Sequence, residues 1–176
     1  MEPVVNVAAR QERAAGLILD DEGLRGDLTD DEFRPLLDWA IAASDRIAAA
    51  VKMPNEEAAM TEIGERVSAV KGAVRLAAEA VAAHVNGVAG QQAWALDALA
   101  EMVELGGFQA AVPGVSAGAV HAVAKQLVTD DTGDGVNGAA LIVQALTGPV
   151  VAGDAPAQAI HSDPSDPSPE SAPRMP

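Results

Sequence analysis

The segment 56–86 reads EEAAMTEIGERVSAVKGAVRLAAEAVAAHVN. Its large apolar residues recur at steps of three and four, which is the heptad spacing of a helix that packs along one side. We call these residues the heptad seam: Met60, Ile63, Val67, Val70, Val74, Ala77, Val81 and Val85. The seam predicts a long central helix over about 56–86, which begins after Asn55 as an N-cap and ends at Asn86-Gly87.

Two interpretations of the heptad seam stay open at this point. In one, it forms the core of a single bundle; in the other, Val67, Val70, Val74 and Val81 face a second copy of the chain. Small residues on the opposite side would allow another helix to approach closely: Gly64, Ala69, Gly72, Ala73 and Ala80. Three basic residues mark the exposed edge and could pair with acidic residues of the same or another chain: Arg66, Lys71 and Arg75.

Helical patterns also precede the central segment. Apolar spacing after Pro3 predicts a first helix over about 3–19. Thr29-Asp30-Asp31-Glu32 has the form of a capping box, in which the threonine hydroxyl and the glutamate carboxylate satisfy each other's backbone amides. We expect Pro35 to cause a kink or short turn before a main helix over 35–53, with Trp39 on the flank of that helix.

The second half of the chain continues in the same manner. A fourth helix over about 89–105 stops at Gly106-Gly107, a fifth begins at Ser116 and reaches about residue 128, and Asn137 caps a sixth that ends near Leu146. The sequence thus predicts an all-α fold, a five- to six-helix bundle in a domain of residues 1–152. Residues 153–176 contain six prolines and few large apolar side chains, which predicts a disordered Pro/Ser/Asp-rich tail.

Composition excludes several classes of function. The formal net charge is −15, so a direct nucleic-acid partner is disfavoured because the phosphates would be repelled. The chain has no cysteine, which rules out disulfides, thiolate nucleophiles and Fe–S clusters. No segment has the apolar length of a membrane span, and the start of the chain lacks the pattern of a signal peptide. We therefore expect a cytoplasmic protein with no membrane partner.

The negative charge is concentrated at the two ends of the chain. Residues 1–62 carry a net charge of −8, residues 63–128 of −1 and residues 129–176 of −6. Seven acids surround the single base Arg25 in one short stretch: Asp20, Asp21, Glu22, Asp27, Asp30, Asp31 and Glu32. These acids are explained either as helix caps on a solvated surface or as a docking patch for a basic protein partner.

One loop has the spacing of a calcium site. Asp130, Thr132 and Asp134 match positions 1, 3 and 5 of an EF-hand loop, and Gly135 matches position 6. Leu141 stands at position 12, where the calcium loop needs a bidentate carboxylate. An acidic turn that caps the next helix is therefore the favoured interpretation, and we expect no metal or other cofactor.

A catalytic site would have to use one histidine. His121 in the fifth helix could meet Glu101 or Glu104 across a helix pair and act as a base. The chain has no His-Glu-x-x-His, no Glu-x-x-His and no phosphate-binding glycine motif, so a solvent-facing helical histidine is the simpler explanation.

These observations favour a non-enzymatic interaction or assembly protein that self-associates through a helical face. The alternative is a small helical enzyme or metal-binding protein with its site between helices three to five. A closed pocket in which His121 meets a carboxylate would favour the enzyme, whereas an exposed apolar helix face would favour the interaction protein.

Overall fold

In a computed structural model that describes residues 6–130 and 133–147, every regular element is helical. The predicted all-α class is thus confirmed for these residues. Within these described ranges there are seven α-helices and one 3-10 turn, Glu22–Leu24, between the first two. The helices are α1 (Val7–Leu19), α2 (Asp30–Ala50), α3 (Glu56–Val85), α4 (Ala89–Val103), α5 (Gly106–Ala111), α6 (Ala117–Thr129) and α7 (Gly135–Leu146).

The long central helix exists over nearly the predicted range. α3 begins after Asn55, whose side chain accepts a hydrogen bond from the Ala58 amide, and its C-cap is Asn86. Against α3 pack α1, α2, α4, α5, α7 and the 3-10 turn. Because most of the other elements rest on α3, this helix organises the described part of the chain.

Most of the heptad seam is buried inside the chain itself. Val67, Val70, Val74 and Val81 have almost no exposed surface, whereas Val85 at the helix end is exposed. On the opposite side α4 approaches closely at Gly72, where a built Cβ would lie 2.8 Å from the Cε atom of Met102, whereas Gly64 has open space beside it. The hypothesis that these four valines face a second copy is therefore wrong: the other helices of the same chain already cover them.

The predicted number of helices is too small by one. Gly106-Gly107 was expected to end the fourth helix, but these two residues instead begin α5 after α4 has ended at Val103. Burial of Phe108 drives this short helix. The side-chain Nε2 atom of Gln109 also donates to the carbonyl oxygens of Val103, at 2.5 Å, and Val115, at 2.6 Å, so it ties the end of α4 and the loop before α6 to α5.

The N-terminal part of α2 differs from the prediction in two ways. Helix α2 runs without interruption from Asp30, and Pro35 lies within it. Because proline removes one hydrogen bond near the helix start, the confirmed capping box of Thr29 and Glu32 can offset the loss. Trp39, expected on the flank of the helix, is buried instead.

The first and last helices begin at other residues than expected. Helix α1 starts at Val7 with Asn6 as its N-cap, while Pro3 lies outside the described residues. Helix α7 starts at Gly135 because the Asp134 carboxylate accepts from the Val136 amide, at 3.0 Å, so Asn137 is not the cap. The tail predicted for residues 153–176 also falls outside the described part of the chain.

Helix α7 fits between three others. It contacts α2, α3 and α6, and a Cβ built on Gly138 would lie 3.5 Å from the His84 and Leu127 side chains, which is an ordinary van der Waals distance. Of the helices described, none is both long and apolar enough to cross a membrane.

Candidate functional site

The acidic residues 20–32 span the connection between α1 and α2 and the first turn of α2. Asp21 stands at the N-cap of the 3-10 turn, and its Oδ1 atom accepts from the Gly23 amide at 3.1 Å. Its Oδ2 atom lies 3.5 Å from Nζ of Lys71 and 3.6 Å from Nη2 of Arg75. The expected pairing of the basic edge of α3 with this segment is thus confirmed at Asp21, within the same chain.

Two further acids of the segment also have internal partners. The Asp30 carboxylate forms an ion pair with Arg25, whose Nε atom donates to the Leu28 carbonyl at 2.7 Å. The Glu32 carboxylate accepts from the Thr29 amide at 2.9 Å. These contacts hold the backbone of the segment against α2 and α3.

The remaining four acids point to solvent. Asp20, Glu22, Asp27 and Asp31 are exposed, and none of them forms an ion pair with another residue of the described ranges. Arg66, the third basic residue of the α3 edge, does not reach this segment. Its guanidinium instead lies 2.8 Å from Glu62 and donates to the Ala110 carbonyl at 3.1 Å.

His121 lies beside an open groove between α4 and α6. The groove is lined by Asp97, Ala100, Glu101, Glu104, Ala117 and His121. The nearest carboxylate to the histidine is neither expected glutamate: Nδ1 of His121 is 4.0 Å from Oδ1 of Asp97. Their side chains are 54% and 73% exposed, respectively. This distance is too long for a hydrogen bond, and so much solvent around the pair weakens any charge interaction.

Glu104 in this groove accepts a hydrogen bond from the start of α6. Its Oε1 atom accepts from the Ala117 amide at 2.6 Å, at the first turn of α6. A carboxylate used in this way stabilises the helix start. The structure therefore brings His121 near Glu101 and Glu104 in one groove, but does not join them in a closed catalytic arrangement.

The loop with calcium spacing is built from caps. Asp134 caps α7, and the Asp130 carboxylate accepts from the Asn137 side-chain amide at 2.5 Å. Thr132 lies outside the described residues. Within the described ranges, no three or more histidine, aspartate or glutamate side chains are grouped as metal ligands. The acidic-turn interpretation is confirmed at Asp134.

Two polar nitrogens line a second groove at the other end of the α4–α6 pair. His84 and Gln92 share this groove with Ala89, Leu127 and Val128. Gln92 is only 8% exposed, and neither its Nε2 atom nor the Nε2 atom of His84 has a hydrogen-bond partner among the described residues. Such a buried unpaired donor carries a desolvation cost.

The most extensive polar contact in the described residues was not expected from the sequence. Arg10 of α1 is 4% exposed, and its Nε and Nη2 atoms donate to the Glu56 carboxylate at 2.9 and 3.0 Å. Its Nη1 atom donates to the Val51 carbonyl at 2.9 Å. The only signal in the sequence is that Arg10 stands four residues before the buried Ala14, on the apolar side of α1.

This contact also affects the acidity of Glu56. The hydrogen bond from Arg10 lowers the pKa of the Glu56 carboxyl below its ordinary value, and the positive charges of Arg10 and Arg13 add to the effect. Partial desolvation of the carboxylate opposes it.

The comparisons with known proteins found no similar protein: no family model, no curated protein and no solved structure matches this chain. A functional conclusion must therefore be based on the geometry of the chain itself.

Proposed function

We propose that this chain is a cytoplasmic interaction or assembly protein and not an enzyme, and that it docks a basic protein partner. The proposed docking surface consists of Asp20, Glu22, Asp27 and Asp31, which we call the acidic surface. The observation that carries the proposal is that these four carboxylates are exposed and have no ion pair among the described residues, while their neighbours are fixed.

The fixed neighbours support this role physically. Asp21 is paired with Lys71 and Arg75, and Arg25 is paired with Asp30, so these three positive charges are already used inside the chain. The held backbone presents the free carboxylates in one arrangement, which lowers the entropy lost on binding. Charged surfaces of this kind mainly raise the association rate, and their effect falls with salt.

Binding of a fluorescein-labelled oligolysine peptide at low and high salt tests the acidic surface. The quadruple variant D20N/E22Q/D27N/D31N should bind at least about tenfold more weakly, with a smaller salt dependence. A matched control, E12Q/D38N/E57Q/E65Q, removes the same charge at four other exposed acids. If both variants lose the same affinity, net charge alone attracts the peptide and the proposed surface is wrong.

We also propose that the chain self-associates through a helical face. The heptad spacing supports shallow packing of α3 within a bundle, but its seam valines are covered by the chain itself, so another face must be used. Sedimentation equilibrium of the full chain tests self-association directly. A single mass equal to the monomer at every concentration would remove this part of the proposal and leave the acidic surface untouched.

The geometry gives less support to the alternative of an enzyme or metal-binding protein. His121 and its nearest carboxylate are both well exposed in an open groove, and Glu104 is used as a helix cap. General acid–base catalysis needs a held and partly desolvated pair. No direct nucleic-acid partner is proposed either, because the exposed acidic surface would repel a polyanion.

A further inference from the structure

We propose that two copies of this chain associate through the face formed by α4 and α6, with α4 of each copy packed on α6 of the other. This inference rests on the proposed self-association and names the face and the register. It is argued from the exposed apolar residues of these helices, their opposite charges and the levels at which they contact each other.

Exposed apolar side chains gather on this helix pair and its ends. Trp94 on α4 is 56% exposed and Val128 on α6 is 81% exposed. Val88 and Leu105, which flank α4 on either side, are also exposed. These four are among ten large apolar side chains exposed in the described residues. Tryptophan is the residue type most often responsible for the affinity of an interface, so Trp94 is the expected centre of the contact.

The two helices carry opposite charges. The charged residues of α4 are Asp97 and Glu101, and it has no lysine or arginine. The ionisable residues of α6 are His121 and Lys125, and it has no acid. A face with one acidic and one basic helix complements itself when a second copy places its acidic helix on the basic one.

The contacts between α4 and α6 show which residues of the two helices lie at the same level, that is, at the same height along the helix pair. Glu104 near the end of α4 meets Ala117 at the start of α6, and Asp97 lies beside His121. Ala89 at the start of α4 lines a groove with Val128 near the end of α6. The two helices therefore run antiparallel, and this register puts Trp94 at about the level of Lys125.

One two-fold axis satisfies both the charge pairing and the relative heights of the residues along α4 and α6. This axis lies in the interface and runs parallel to the groove between α4 and α6. Rotation about it leaves the height of every residue unchanged and places α4 of one copy on α6 of the other. Asp97 of one copy then faces His121 of the second, and Trp94 faces Lys125. The second contact is a cation–π pair between a lysine and an indole ring, which adds to the apolar contact.

The distribution of charge favours the same face. The chain has a net charge of −15, whereas α4 and α6 themselves carry Asp97, Glu101 and Lys125, a net charge of only −1 with histidine neutral. Two like-charged copies repel each other least where each is nearly neutral.

Sedimentation equilibrium of the full chain and of single variants tests the face. W94S should weaken dimerisation by about thirtyfold, and V128S by a smaller factor. L19S is the matched control, since Leu19 is exposed to a similar extent on α1 and should not alter the dimer. Circular dichroism checks that each variant unfolds at the temperature of the parent chain, as expected for an exposed side chain.

A charge exchange tests the pairing of α4 with α6. D97K and H121D should each weaken the dimer, and the double variant D97K/H121D should restore most of the loss, because the proposed axis places positions 97 and 121 opposite each other and the double variant again puts opposite charges there. Losses that simply add in the double variant would contradict this pairing.

A disulfide experiment tests the register of α4 against α6 of the second copy. Because the chain has no native cysteine, only the introduced cysteines can form a disulfide. A mixture of D97C chains and H121C chains should oxidise mainly to the mixed dimer, since the proposed axis places these two positions opposite each other. A predominance of D97C homodimers would require a different axis and overturn the register.

The outcomes separate this inference from the proposed function. A chain that is monomeric throughout would overturn both self-association and this interface. A dimer that is insensitive to W94S, V128S and the charge changes would overturn the α4–α6 face alone, while self-association would stand.

Discussion

The Nε atom of Arg10 lies 2.9 Å from Oε1 of Glu56, and this ion pair joins α1 to the first turn of α3. The same guanidinium donates to the Val51 carbonyl, where α2 ends. One side chain thus connects three helices. Its positive charge stands at the C-terminal end of one helix dipole, and the carboxylate that it pairs with stands at the N-terminal end of another.

Replacing Arg10 should destabilise the chain. R10M keeps most of the apolar stem but leaves the Val51 carbonyl without its donor, so we expect a loss of about 1–3 kcal/mol in the free energy of unfolding. Urea denaturation followed by circular dichroism measures this loss. R13M is the control, because Arg13 is exposed on the same helix and its removal should change stability by less than about 0.5 kcal/mol. Equal effects of both variants would contradict a special role for Arg10.

The Arg10–Glu56 contact should also make stability depend on pH. Because Arg10 lowers the pKa of Glu56 in the folded chain, the unfolded chain binds the proton more readily. The contribution of this pair is therefore complete above the ordinary carboxyl pKa of 4.5 and is lost as the pH falls through the lower folded value. The difference in melting temperature between the parent chain and E56Q should shrink on acidification below about pH 4.5. A difference independent of pH would exclude this linkage.

Gly135 is required by the capping box at the other end of the molecule. A Cβ built on it would lie 2.7 Å from Oε1 of Glu32, the carboxylate that accepts from the Thr29 amide. We expect G135A to displace this carboxylate and to cost about 1–2 kcal/mol. G118A is the matched control: its Cβ has room near the start of α6, so it should be stabilising by about 0.4–1 kcal/mol. Thermal unfolding of both variants measures the contrast, and a stabilising G135A would contradict the close contact.

The unpaired amide of Gln92 should cost stability. Q92M has nearly the same shape without the polar group, so we expect it to raise the free energy of unfolding, measured by urea denaturation, by about 1 kcal/mol. The control is Q91M at the neighbouring exposed position, which removes only an exposed hydrogen bond to Glu79. It should change stability by less than about 0.5 kcal/mol. If Q92M is neutral or destabilising, Nε2 of Gln92 is satisfied in solution by a bound water.

Local sequence patterns predicted the helical elements well where their cause is local. The capping box at Thr29, the caps at Asn55 and Ser116 and the long helix of residues 56–86 all depend on neighbours within four residues along the chain. The interpretation of Asp134 as part of an acidic cap was confirmed for the same reason. The prediction failed where distant residues decide the structure: α5 forms because Phe108 is buried in the core and the Gln109 side chain bonds both the end of α4 and the loop before α6.

For the candidate sites as well, the sequence located the residues, whereas the tertiary structure determined their contacts. The sequence located the acids of residues 20–32, but it could not distinguish Asp21, which α3 neutralises through Lys71 and Arg75, from Asp20, which stays exposed. It placed His121 near Glu101 and Glu104, but the closest carboxylate is Asp97, because the register of α4 against α6 sets this distance. Such a register depends on the packing of both helices, which no spacing within one helix reveals.

The sequence by itself thus determined the all-α class, the central helix, the caps and the segregation of charge along the chain, because each follows from short-range hydrogen bonds, apolar periodicity or composition. Tertiary structure alone decided that the heptad seam is covered by the same chain, that Arg10 joins three helices and that Trp94 stays exposed on α4. The physical reason is that burial and ion pairing depend on which helices share a side, and residues far apart in sequence settle that jointly.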